Sequence, residues 1–222
     1  MVQPVVLFDV DGTLVDSNFH HVLAWHHAFL DVGEEVPCWR ILGLIGRSGD
    51  ELVSALLGDE LADKHGSHVK KLHTTYFLDA AAQVRRLPGA RELLEAIAAR
   101  GWRSVLATSA GEKELEVLRN ALDSEDLIDA VTSSADAERA KPHPDIVAIA
   151  LERVDATPSD AIFVGDAVWD VKAALRAGVP AAAVLSGGTS REALEDAGAA
   201  AVYDGPLDLH EHIEGFAQLV GM

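Results

Sequence analysis

The chain has 222 residues, enough to bury a full core as one large domain or as a domain with a smaller appendage. Its 36 Asp and Glu against 18 Lys and Arg give a net charge of −18, which argues against nucleic acid or anionic membranes as partners. Aliphatics and alanine dominate over aromatics, a balance that suits an α/β protein. The single cysteine, Cys38, excludes an internal disulfide and fits a reducing compartment. Pro37 and Trp39 beside it supply no activating base, so it reads as a packing residue. No positively charged leader precedes the first apolar run, and no apolar stretch approaches membrane-spanning length. A soluble cytoplasmic protein is the expectation.

The first apolar run, Val5–Phe8, suits a strand buried on both faces of a parallel sheet. It leads into Asp9-Val10-Asp11-Gly12-Thr13, where Gly12 permits a sharp turn. If strand geometry continues to Asp11, the two carboxylates point to the same side. Such a pair repels and calls for either a hard divalent cation or acid–base work. Asp16-Ser17 then starts a helix, with apolar residues at 22, 25, 29 and 32 at helical spacing. Asp50–Leu57 and Leu61–Phe77 read as further helices, and no strand-like alternation occurs between residues 17 and 85.

From Leu87 the pattern changes to alternation. A helix from Pro88-Gly89 to Arg100 precedes a strand at Ser104–Ala107, which ends in Thr108-Ser109. A helix at Glu112–Leu122 and a strand at Ile128–Thr132 follow. Lys141-Pro142-His143-Pro144-Asp145 opens a helix through Arg153, and Ala161–Val164 is a fourth strand ending in Gly165-Asp166. Helix Val168–Ala177, strand Ala181–Leu185, helix Arg191–Ala197 and a short strand at Ala200–Tyr203 complete the series. Leu209–Leu219 reads as a last helix.

This alternation implies a doubly wound parallel sheet with helices on both faces. The interruption after strand one divides the chain into an α/β core of residues 1–16 and 86–222 and an inserted all-helical cap of 17–85. In open parallel sheets, ligands gather at the C-terminal strand ends near the point where strand order reverses. Asp9 and Asp11 end strand one, Thr108 and Ser109 end strand two, Asp166 ends strand four, and Lys141 follows strand three.

The run Asp9-Val10-Asp11-Gly12-Thr13, a hydroxyl after strand two, a lysine before a helix, and Gly165-Asp166-Ala167-Val168-Trp169-Asp170 occur in that order. Together they resemble the motifs of the haloacid dehalogenase (HAD) superfamily. The resemblance covers the whole chain, including a cap in the position typical of the phosphoglycolate phosphatase and β-phosphoglucomutase branch. It implies a Rossmann-like core in which strand four lies beside strand one. It also implies that Asp9 attacks phosphorus and becomes an aspartyl phosphate, and that Asp11 acts as general acid and base. By the same resemblance Mg²⁺ is held by Asp9, Asp166 and the backbone carbonyl of Asp11. Asp170 orients Lys141 or a water behind it.

Positioning and charge stabilisation carry most of phosphoryl transfer, and Lys141 with the metal would offset repulsion between carboxylate and phosphate. Thr108 and nearby backbone N–H groups would donate to the phosphoryl oxygens, with Ser109 as a helper. Arg47, in a glycine-flanked cap loop, reads equally as an exposed loop arginine or as a cation for a second anionic group of the substrate. His21 and Trp25 match positions that line or pack the cap–core cleft in capped relatives. The cap's other histidines, His20, His26, His27, His65, His68 and His73, form no HExxH pair, so a second metal site is not expected.

The expected function is a Mg²⁺-dependent phosphatase of a small phosphorylated metabolite. A sugar phosphomutase of the β-phosphoglucomutase type shares every core residue and is the alternative. A dehalogenase needs neither the acid–base Asp11 nor the metal. A non-catalytic phosphate binder has no need of all five of Asp9, Asp11, Thr108, Lys141 and Asp166. Monomer and homodimer are both left open.

Overall fold

The computed structural model describes residues 3–219. In chain order the elements are β1 (Val5–Phe8), β2 (Val15–Asp16), α1 (Asn18–Asp31), α2 (Cys38–Leu42), α3 (Gly49–Leu57), α4 (Asp59–Asp79), β3 (Arg85–Arg86), α5 (Ala90–Ala99), β4 (Arg103–Ala107) and α6 (Glu112–Leu122). They continue with β5 (Ala130–Thr132), α7 (Asp145–Glu152), β6 (Ala161–Gly165), α8 (Val168–Arg176), β7 (Ala181–Val184), α9 (Arg191–Asp196), β8 (Ala201–Tyr203), α10 (Pro206–Glu211) and α11 (Ile213–Leu219).

Six strands form one sheet in the order β5-β4-β1-β6-β7-β8, and every pairing in it is parallel. The fold is α/β, with the direction of winding reversing beside β1. β4 and β5 are added on one side, and β6, β7 and β8 on the other. All four residues of β1 are buried, and they alternate between two cores. Val6 and Phe8 pack with Leu93, Leu94 and Leu118 from α5 and α6. Val5 and Leu7 pack with Ile146, Val147 and Val171 from α7 and α8. Each such side chain, once buried, contributes about 1.5–3 kcal/mol of transfer free energy, which explains an uninterrupted apolar run at the sheet's centre.

Between β2 and β3 lie only helices, and they bury a third cluster of their own. Val22, Trp25 and Phe29 of α1 meet Ile41, Leu52 and Val69. Ser48 caps α3 by accepting the Glu51 N–H at 3.2 Å, and Asp50 and Glu51 place negative charge in its first turn. Cys38 joins the edge of this cluster, which is the packing role its neighbours suggested.

Three local features differ from the sequence reading. The strand geometry expected to run to Asp11 stops at Phe8, because Thr13, Leu14 and Val15 all turn their N–H groups back to the Val10 carbonyl. β2 and β3 pair antiparallel, Val15 with Arg86 and Asp16 with Arg85, in a ribbon too short to show any periodicity. The tail forms two short helices rather than one. Pro206 starts the first, and the chain leaves helical geometry at His212 (φ −107°, ψ 22°), so that Leu209, Ile213 and Phe216 are all buried.

Gly89 precedes α5 with φ +80°, and a Cβ there would lie 2.3 Å from the Leu207 Cα. Only glycine allows this backbone to meet the start of α10. Gly89→Ala is expected to lower stability by about 2 kcal/mol or more, read as a lower urea midpoint at unchanged slope.

Candidate active site

The site begins where β1 ends. The Asp9 N–H donates to the Val164 carbonyl at 2.9 Å, which continues the β1–β6 ladder by one bond and holds Asp9 above the sheet. The turn that follows depends on Gly12, at φ +69°. A Cβ there would lie 2.4 Å from Asn18 Nδ2 and 2.8 Å from Asp166 Oδ2, so the close approach excludes other residues.

Lys141 is completely buried, an unusual position for a lysine. Its Nζ lies 2.9 Å from Asp9 Oδ1 and 2.8 Å from Asp170 Oδ1. Burial alone would lower its pKa, but Asp170 and Asp9 outweigh that and hold it above the ordinary lysine value. Asp170 also accepts the Ala167 N–H through Oδ2 at 3.0 Å, so both of its oxygens are engaged. Asp166 accepts Thr13 Oγ1 at 3.1 Å and Asn18 Nδ2 at 2.8 Å.

Negative charge exceeds positive here. Burial, then repulsion from Asp170 and Asp9, pushes the Asp166 carboxyl well above the usual carboxylate range. Burial raises Asp9 to about 7 in spite of Lys141. Among the described residues, Asp9, Asp166 and Asp170 bring carboxylate oxygens within 4.8 Å of one another. Hard oxygen donors crowded around a charge deficit fit a hard divalent cation. Because Asp170 is committed to Lys141 and to the backbone, Asp9 and Asp166 are the carboxylates such an ion would share.

Asp11 is held separately. It accepts Ser17 Oγ at 2.6 Å and lies 2.9 Å from His21 Nε2. Burial works to raise its pKa, but His21 and the Ser17 hydroxyl together draw it below the ordinary value. His21 stacks on Phe77, with ring centroids 3.9 Å apart, and its Nδ1 lies 3.0 Å from His73 Nε2. Burial and the neighbouring His21 hold His73 well below the ordinary histidine value, so it is neutral. His73 in turn stacks on Trp25 at 4.0 Å.

A cavity of about 680 Å³ opens over these groups, between α1, the 45–52 segment, α4 and the loops after β4 and β5. Asp9, Asp11, Lys141 and Asp166 form its floor, and Ser109 lines it beside Ala110 and Gly111. Thr108 lies behind them, fully buried, with Oγ1 accepting the Ala110 N–H at 3.1 Å. Arg47 lines the opposite wall. It is not a loose loop arginine: Nε lies 3.2 Å from Glu51 Oε2, and the guanidinium sits over the Trp169 ring at 4.6 Å.

The sequence reading thus named eight residues, and seven of them, all except Thr108, line the cavity or pair with its floor. It missed Ser17 and Asn18, which orient Asp11 and Asp166, and Glu51 and Trp169, which hold Arg47. Buried polar residues at the start of α1 were a usable signal; the Arg47 partners had none, since Trp169 lies on a distant segment.

Comparison with known proteins supplies the wider context. The family described as "Haloacid dehalogenase-like hydrolase" matches residues 6–184. A protein of Nitrosospira multiformis named phosphoglycolate phosphatase is 30% identical over 179 residues, covering 78% of this chain and 79% of that protein. A Thermotoga maritima protein named phosphorylated carbohydrates phosphatase is 30% identical over 178 residues, covering 78% and 81% respectively. The crystal structure of a hydrolase from Pseudomonas syringae is 32% identical with a TM-score of 0.90, covering 96% of this chain and 99% of that one.

Removing the buried cation tests the charge balance. Lys141→Met strands Asp9 and Asp170 without a counter-charge and is expected to cost about 3–5 kcal/mol in urea denaturation with EDTA present. An unchanged midpoint contradicts the ion triad.

Proposed function

The chain belongs to the haloacid dehalogenase-like hydrolase family, and on that premise we propose that it is a Mg²⁺-dependent phosphatase of a small phosphorylated metabolite. The observation that carries this is the Lys141 ammonium shared between Asp9 and Asp170 under an open cavity, with Asp166 on the adjacent strand end. The relatives named as phosphatases support the same reaction class. Residues 17–85 are read as a cap over a core made of 1–16 and 86–222.

In this reading an Asp9 oxygen attacks phosphorus, the bond to the leaving alkoxide breaks, and an aspartyl phosphate forms on Asp9. Lys141 holds Asp9 in place and offsets charge between two anions. Mg²⁺, held by Asp9, Asp166 and the Asp11 main-chain carbonyl, would supply further neutralisation of the phosphoryl oxygens. Ser109 and the backbone N–H groups beside it donate to those oxygens, with Thr108 bracing the loop from behind.

Asp11 handles the protons. Its ionised form, stabilised by His21 and Ser17, suits the second half-reaction, in which it takes a proton from the attacking water. The first half-reaction needs the acid form. A bound phosphate dianion next to Asp11 raises its pKa and so favours protonation when substrate is present.

The test is hydrolysis of p-nitrophenyl phosphate with Mg²⁺, lost in EDTA and restored by excess metal. Free phosphate, not an isomerised sugar phosphate, is the expected product. Asp9→Asn is expected to lower kcat by about 10³-fold or more with the circular dichroism spectrum unchanged, whereas Asp11→Asn loses about 10²–10⁴-fold. Substantial turnover by Asp9→Asn would sink the mechanism.

A further inference from the structure

Asn18 is the first residue of α1, yet its side chain bonds to the edge of the sheet rather than to its own helix. It is 3% exposed and lines the cavity together with Asp9 and Asp166. Its Nδ2 donates to Asp166 Oδ2 at 2.8 Å and to the carbonyl of Gly187, past β7, at 3.1 Å. An amide NH₂ has two hydrogens, and these two acceptors use both. A flipped amide would set Oδ1 against a carboxylate and a carbonyl, so its orientation is fixed.

The other end of the same amide is left over. Asn18 Oδ1 is buried and has no donor among the described residues. A buried acceptor of this kind is costly unless something donates to it. A water carried by a divalent cation is such a donor, since Mg²⁺ dehydrates reluctantly and keeps several waters.

Asp166 is meanwhile held at both oxygens, by Thr13 Oγ1 at 3.1 Å on Oδ1 and by Asn18 on Oδ2. A carboxylate gripped at both ends keeps one rotamer, which is what an ion needs from a ligand. Thr13 belongs to the turn after β1, whereas Asn18 belongs to the helices between β2 and β3. Through Asn18, therefore, α1 touches a carboxylate that the ion would share.

We propose that Asn18 is a positioning residue for the divalent cation, holding Asp166 through Nδ2 and a metal-bound water through Oδ1, and that it couples ion binding to the seating of α1. This rests on the reading of Asp9 and Asp166 as the ion's carboxylates. The coupling is reciprocal: what the ion gains in affinity from Asn18, the start of α1 gains in stability when the ion binds.

The test titrates the intact, metal-free protein with Mn²⁺, which takes the same oxygen ligands, and reads the paramagnetic resonance signal of the free ion. Asn18→Ala is expected to bind Mn²⁺ about tenfold more weakly than the unaltered chain, as when a group supporting a metal ligand is removed. His20, in the same turn, does not line the cavity, and His20→Ala is expected to leave the affinity unchanged. Amide hydrogen exchange at residues 18–24 gives a second readout: Mg²⁺ slows it in the unaltered chain and slows it less in Asn18→Ala. Equal Mn²⁺ affinity in Asn18→Ala and the unaltered chain overturns the inference. An equal loss in His20→Ala overturns it too, by assigning the effect to helix seating alone. Exchange that Mg²⁺ does not slow in the unaltered chain overturns the coupling, whatever the variant does. An unaltered chain that binds no Mn²⁺ overturns the metal reading, and the inference falls with it.

Discussion

A lysine ammonium with no access to water stays charged only when carboxylates replace its hydration, and Lys141 sits between Asp9 and Asp170 for that purpose. The arrangement joins three separate parts of the chain: the end of β1, the turn before α7 and the first turn of α8. Asp170 reaches Lys141 because its other oxygen is fixed by the Ala167 N–H, which ties the ion pair to the backbone after β6. The proposed nucleophile is thus aimed by a charge that is aimed, in turn, by the start of a helix. Losing Lys141 would leave both carboxylates buried without compensation.

The sheet makes this meeting possible. β1 and β6 are neighbours although roughly 150 residues separate them, and the chain winds outward in both directions from β1. Parallel strands all present their C-terminal ends at one edge, so residues that follow different strands converge there without any special loop geometry. Asp9 and Asp166 converge in this way, and Lys141 is delivered by the connection between β5 and β6. Excess carboxylate on that edge is costly without a cation, which is the physical reason to expect one.

The helices between β2 and β3 contribute differently. They bury their own cluster around Trp25, Phe29 and Ile41, and from that support they hold His21 against Asp11 and the Arg47–Glu51 pair against Trp169. The floor of the cavity is therefore supplied by the strand ends of the sheet, and much of the facing wall by the helices between β2 and β3.

Local patterns in the sequence determined the strands, the doubly wound sheet, and the strand-end positions of Asp9, Asp11, Ser109 and Asp166, because burial periodicity and turn residues act over a few positions. Lys141 was marked by its place in the motif order that the chain shares with the family, since a lysine before Pro142 reads by itself as a solvated helix-start residue. Tertiary structure alone decided what those groups face. His21 meets His73 across 52 residues, Asn18 meets Asp166 across 148, and Arg47 finds Trp169 from another segment entirely. Where the Arg47 guanidinium rests in the cavity wall depends on that last contact. No spacing along the chain encodes it, because side-chain pairing across elements is settled by how the helices between β2 and β3 seat on the sheet.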